Sequence, residues 1–246
     1  MMTPLEMLEK CVVANIPDPG CPALDPPSGA IPLDPNAASI LPKTRAVTIV
    51  CSILVGLAII IRIFTRAHLV KKFALEDAMM ILGTIGFFVF VALICDSAKL
   101  GLGKHQWNVT LNNFMRSLHR AYAVQLIYCF TIYPVKLGVL LQIKHIFASK
   151  KKDFNYWACW AVIVFVSAGY TANLFIWIFP CVPVRKSWDF YTPGYCNKGR
   201  PSIISGVVNL ASDLAILALP MIAVAKLQMS MRKKLAVSAV FAVGIL

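Results

Sequence analysis

The sequence predicts an all-α fold, a polytopic bundle of transmembrane helices with five full spans and the start of a sixth, and three observations carry that reading. Of the 246 residues, 59% are hydrophobic and 14% charged, against about 45–50% and about 25% in an ordinary soluble domain. Five charge-poor apolar stretches approach or exceed the ~20 residues that cross a bilayer core. The 24 basic residues outnumber 11 acidic ones, yet they sit between the apolar stretches rather than on one soluble face. The lipid bilayer, and not nucleic acid, is the partner this pattern predicts.

Residues 1–45 hold nine prolines and five acidic residues and lack the apolar core of a cleavable signal. Runs such as Pro17-Asp18-Pro19-Gly20 deny helix or strand continuity, which predicts an extended, largely disordered tail. Residues 46–246 then form the membrane domain. The first span covers 46–64, with Arg62 and Arg66 able to snorkel from its end. The second covers 78–95, the third 121–143 with Lys136 inside it, the fourth 156–179, and the fifth 201–225 with Asp213 inside it. Residues 235–246 are apolar but number only 12, short of the roughly 17 a span requires. They read as an incomplete sixth helix, with the chain stopping inside it.

Loop charge sets the expected orientation. Arg62, Arg66, Lys71 and Lys72 follow the first span, Lys150 to Lys152 the third, and Arg232 to Lys234 the fifth. Such clusters hold their ends in the cytosol, which places the N-terminus outside. The plasma membrane is the expected location. Asn108-Val109-Thr110 is a glycosylation sequon on the same outer side. Cys11, Cys21, Cys181 and Cys196 also fall there, where disulfides persist, and a Cys181 to Cys196 bridge is the favoured pairing. Cys51, Cys95, Cys129 and Cys159 lie in or beside spans and read as small packing residues.

Lys136 and Asp213 are the candidate site. An ionisable group at membrane depth costs at least about 2.5–3.5 kcal/mol and turns inward. At 1.5 Å per residue the two lie roughly 22 Å and 18 Å below the outer ends of their spans, close enough for a lysine side chain to join them. Ser205, Asn209 and Asp213 repeat at i, i+4, and Gln125, Tyr128 and Lys136 share a broad face. Two readings stay open: a hydrated ligand or ion site, and an ion pair that fixes helix register. A retinal Schiff base on Lys136 is disfavoured, and no cofactor is expected. The outer loop carries Trp188, Phe190, Tyr191 and Tyr195, either as a lid or as an interfacial aromatic belt. There is no nucleophile elbow, P-loop, HExxH helix or paired CxxC, and His68, His105, His119 and His145 are scattered. Neither an enzyme nor a metal site is expected.

Taken in order, these residues resemble those of the fungal rhodopsin-domain integral membrane proteins over about 54–246. The resemblance rests on Arg62 and Arg66, Glu76-Asp77, Gly101-Leu102-Gly103-Lys104-His105, Lys136, Trp188 and Cys196, and then Asn209, Asp213 and Pro220. Three positions depart: the family usually has Asp-Asp where Glu76-Asp77 stands, often Ser where Gly138 stands, and often Arg where His145 stands. The resemblance implies the seven-helix order of G-protein-coupled receptors, in a C-terminally truncated form. It also implies receptor-like sensing of an extracellular ligand, with a cytosolic signalling partner. A transporter or transporter accessory, with the Lys136 and Asp213 pair on its path, and a non-signalling scaffold are the alternatives.

Overall fold

The computed structural model describes residues 20–27, 29–34, 37–147, 154–189, 191–197, 199 and 201–226. Among them are five helices long and apolar enough to cross a membrane: α1 (Leu41–Phe64), α2 (Leu75–Ser97), α3 (Leu111–Phe147), α4 (Phe154–Ile178) and α5 (Pro201–Lys226). Two short strands, β1 (Cys181–Val182) and β2 (Tyr195–Cys196), pair antiparallel. The sixth span expected at 235–246 and the basic clusters at 150–152 and 232–234 lie outside the described residues.

The helices outrun the expected spans at several ends, because apolarity marks the part of a helix that meets hydrocarbon and not the helix itself. The largest difference is α3, which begins at Leu111 rather than 121. Its first turns carry Asn112, Asn113, Arg116 and His119, and Thr110 Oγ1 accepts the Asn113 N–H at 3.4 Å as an N-cap. The first helix starts at Leu41, with Pro42 in its first turn, where a missing N–H costs nothing. At the start of α2, Asp77 Oδ2 reaches back to the Ala74 N–H at 3.1 Å, and Glu76 and Asp77 both complement the positive helix end.

The chain divides into two compact units. The first comprises 1–58, 87–127 and 181–196, and here the expectation of a largely disordered tail needs correction for the described part. The described residues among 20–40 run as a turn-rich strap along the segment before α3. The Ala23 N–H donates to Val109 O at 2.9 Å, the Leu111 N–H to Cys21 O at 2.7 Å, the Leu33 N–H to Trp107 O at 3.1 Å and the Ile40 N–H to Gly103 O at 3.1 Å. Proline and glycine keep the strap from making its own helix, but they leave it donors and acceptors that a neighbouring loop can satisfy. Gly101 and Gly103 turn that loop at φ 93° and 88°, where side chains are strained.

The second unit comprises 59–86, 128–180 and 197–246. Its core is Leu140 and Ile143 of α3, Cys159, Ile163, Val166 and Tyr170 of α4, and Leu219 of α5. Gly83 and Gly86 let α2 approach α3 closely, since a Cβ on either would overlap Val135 or Thr131. Pro220 is fully buried within α5.

Candidate functional site

Lys136 lies two residues after Pro134 in α3 and is 7% exposed. Its ammonium has three protons and four acceptors in reach, all on α5: Ser212 Oγ at 2.6 Å, Asn209 Oδ1 at 2.7 Å, Asp213 Oδ1 at 2.9 Å and the Asn209 carbonyl at 3.1 Å. Tyr170 of α4 closes the cluster from a third side. Its hydroxyl donates to Asn209 Oδ1 at 2.9 Å, and its ring centroid lies 5.3 Å from the ammonium, a cation–π distance. The pair is asymmetric: the Lys136 side chain is 8% exposed and that of Asp213 is 37%. Among the described residues a closed cation thus faces an anion with one uncovered flank.

A second polar chain lies one turn away on α5. Trp177 Nε1 donates to Ser205 Oγ at 2.6 Å, Ser205 Oγ to Asn173 Oδ1 at 2.7 Å, and Asn173 Nδ2 to Cys129 Sγ at 3.6 Å. Ser205, Asn209 and Asp213 therefore present one stripe of α5 to residues of α3 and α4. Tyr170, Asn173 and Trp177 supply the matching stripe of α4, which the sequence reading missed. Their i, i+3, i+7 spacing inside a charge-free span was the available signal. Tyr128 is half-buried in the same unit. Gln125 and Trp188 belong to the first unit and are not members of this cluster.

The acidic pair of α2 builds a charged cluster of its own. Asp77, 2% exposed, receives Arg62 Nη2 at 2.8 Å and Arg66 Nε at 3.1 Å. Arg62 Nη1 also donates to Gln142 Oε1 at 3.0 Å. Glu76 Oε1 lies 3.3 Å from Arg66 Nη2 and 3.5 Å from His145 Nδ1. Two guanidinium groups against two buried carboxylates satisfy the condition under which buried charge is tolerated.

In the first unit, Cys181 and Cys196 are disulfide-bonded and face each other across the β1–β2 pair. Cys21 is disulfide-bonded as well. Between the two strands, Trp188 packs on His119 at 4.7 Å and Tyr122 at 5.3 Å between ring centroids. Tyr191 and Tyr195 are exposed, and Phe190 lies outside the described residues. Asp189 accepts from Thr192 Oγ1, the Tyr191 N–H and Arg185 Nε. The Thr192 hydroxyl first, then the other two donors, hold its carboxyl below the usual carboxylate range. Asn108 Oδ1 accepts the Asp34 N–H at 3.0 Å, and His105 stacks on Trp107 at 4.3 Å.

The family model described as the fungal rhodopsin domain matches residues 61–246. A SAT4 family membrane protein of Emericella nidulans is 38% identical over 157 residues, covering 63% of this chain and 41% of the relative. Fugralins biosynthesis cluster protein 2 of Gibberella zeae is 30% identical over 239 residues, covering 92% of this chain and 58% of the relative. The chain thus spans less than two thirds of the length of either. No solved structure matches it.

Proposed function

The chain belongs to the fungal rhodopsin domain family, and from that premise we propose that it is a non-enzymatic, receptor-like sensor in the plasma membrane. Its N-terminus and the Asn108 sequon face outward, where Asn108 is glycosylated, and its basic loops meet a cytosolic signalling partner. The observation that carries the reading is the layout of α3. Lys136 engages Asn209, Ser212 and Asp213, while Gln142 and His145, six and nine residues further on, engage Arg62 and Glu76. One continuous helix, over about 14 Å, joins two charged clusters. A signal that changed the Lys136 cluster would move α3 and reset the second cluster through it.

One relative is named for a biosynthesis cluster, so products of such clusters are the first signals to test. Purified protein is titrated with fractionated culture filtrate while tryptophan fluorescence is followed, Trp177 being tied to the polar stripe through Ser205. A saturable change that Lys136→Met abolishes supports the sensor. The open flank of Asp213 favours one other reading, a transporter, and proteoliposomes separate the two. Substrate or proton flux above that of empty vesicles, lost with Asp213→Asn, would replace the sensor with a carrier. Glycosylation mapping decides the orientation: an unmodified Asn108 together with modified sequons engineered into the Lys150 loop would invert it.

A further inference from the structure

In the first unit the strap covers the glycosylation sequon, and each of the three sequon residues is committed to a structural contact. Asn108 Oδ1 accepts the Asp34 N–H at 3.0 Å, and the Asn108 N–H donates to His105 O at 2.9 Å within a short 3-10 helix. Val109 is buried, and its carbonyl takes the Ala23 N–H at 2.9 Å. Thr110 pairs with Pro22 in an antiparallel bridge, and its Oγ1 caps α3 by accepting the Asn113 N–H at 3.4 Å. Beside the sequon, the Leu33 N–H closes on Trp107 O at 3.1 Å. The strap is tied at its start as well, since Cys21 is buried and disulfide-bonded.

Modification needs the asparagine amide and the hydroxyl two residues on in one enzyme site, which is why acceptor sequons lie in surface loops. Here the hydroxyl is turned to the helix it caps, and the backbone between the two groups is paired with the strap. A transferase cannot draw this segment into its site while the strap is seated. The strap contact uses the amide oxygen, however, and Asn108 Nδ2 has no hydrogen-bond partner among the described residues. A glycan already attached to that nitrogen leaves the Asp34 contact intact. The seated strap thus obstructs addition of a glycan but not its retention.

Chain order decides when the obstruction acts. Asp34 precedes Asn108 by 74 residues, so with the N-terminus outside, the strap crosses the membrane before the sequon emerges. We propose that the strap gates Asn108: an oligosaccharide is added only before the strap seats, and the competition between seating and transfer fixes the fraction of chains modified. The inference rests on the outward orientation of the N-terminus. In the transfer, Asn108 Nδ2 bonds to the anomeric carbon of a lipid-pyrophosphate-linked oligosaccharide. The bond from that carbon to the pyrophosphate oxygen breaks, the lipid pyrophosphate leaves with the electron pair, and one Nδ2 proton passes to a base of the transferase.

The test is translation of the full chain into microsomes, reading glycosylation as gel shifts that an endoglycosidase removes. Asn108→Gln identifies the shift due to Asn108. Pro17→Thr, which completes a sequon on Asn15 ahead of the strap, is added to every variant as a reference for exposure to the transferase. Ala23→Pro with Leu33→Pro removes two strap donors without touching the sequon, and should raise the ratio of modified to unmodified Asn108 at least about five-fold. General misfolding would also free the sequon, so a second variant carries the opposite sign. Leu33 holds φ 55° in the seated strap, a conformation glycine adopts without strain. Leu33→Gly should therefore seat the strap more readily and lower the ratio about two- to five-fold. Complete modification of Asn108 in the parent chain, a ratio unchanged by both variants while Asn15 stays modified, or a rise with Leu33→Gly would each overturn the gate. An unmodified Asn15 in every variant would overturn the outward orientation, and the gate with it.

Discussion

Removing both charges of the Lys136–Asp213 pair should cost less than the sum of the two single losses. Asp213→Asn leaves an ammonium only 8% exposed without a counter-charge, though Asn209 Oδ1 and Ser212 Oγ still accept from it. The expected loss is about 2–3 kcal/mol, below the ~3–5 kcal/mol of a fully orphaned buried charge. Lys136→Met leaves a carboxylate that is 37% exposed, so its charge contributes at most about 1 kcal/mol. Loss of the donor to Asn209 and Ser212 adds about 1 kcal/mol. The double variant has no stranded charge and should lose only about 1–2 kcal/mol, a coupling of about 1–3 kcal/mol between the two sites. Thermal melting in a mild detergent reads this out, since about 1 kcal/mol moves the midpoint of a chain this size by about 2–4 °C. A double variant that loses the sum of the single losses would refute the pairing. A Lys136→Met loss exceeding that of Asp213→Asn would refute the argument from unequal exposure.

Two further outcomes follow from local geometry. Gly83→Ala should destabilise by about 1–3 kcal/mol because its Cβ would overlap Val135, whereas Gly206→Ala, with nothing within 4 Å, should be neutral or gain up to about 1 kcal/mol from helix propensity; paired melting curves check both. Asp189 titrates below its usual value of about 3.9, so the order it lends the 185–192 loop is complete above that pH and disappears as pH falls through the lowered value. An acid step in Trp188 fluorescence, absent in Asp189→Asn, is the expected trace, and a step that survives the substitution would count against it.

The helices were legible because lipid imposes a length and a polarity that a sequence cannot disguise. The five spans follow from charge-poor apolar runs, and Arg62, Arg66, Lys71 and Lys72 mark where the first of them ends. Helix ends were less legible. Leu111 to Arg120 is helical although polar, and no apolar count detects a helix that continues past hydrocarbon. The strap at 20–40 was missed for another reason. Its order comes from backbone groups of Gly103, Trp107 and Val109, and backbone pairing leaves no residue-type signature.

The candidate site divides the same way. Lys136 and Asp213 announce themselves, since a charge inside a span demands a partner and the rise per residue limits which partner can reach it. The neutral members do not. Ser212 and Tyr170 are 1% and 4% exposed, yet serine and tyrosine are ordinary residues in an apolar span, and only their contacts give them a role. The inequality between the two charges was also hidden, because exposure depends on which face of α5 meets α3 and α4, and a one-dimensional pattern of polar residues cannot rank two groups on the same stripe. That inequality bears on mechanism. If both charges were closed, the pair would act as a register pin, with nothing for a ligand or ion to reach. With Lys136 held by neutral acceptors as well as by Asp213, the carboxylate can exchange its partner while the ammonium remains solvated by Asn209 and Ser212. A group that bound Asp213 from its open flank would weaken the ion pair without stranding the lysine, and that is the energetic condition for a switch rather than a staple.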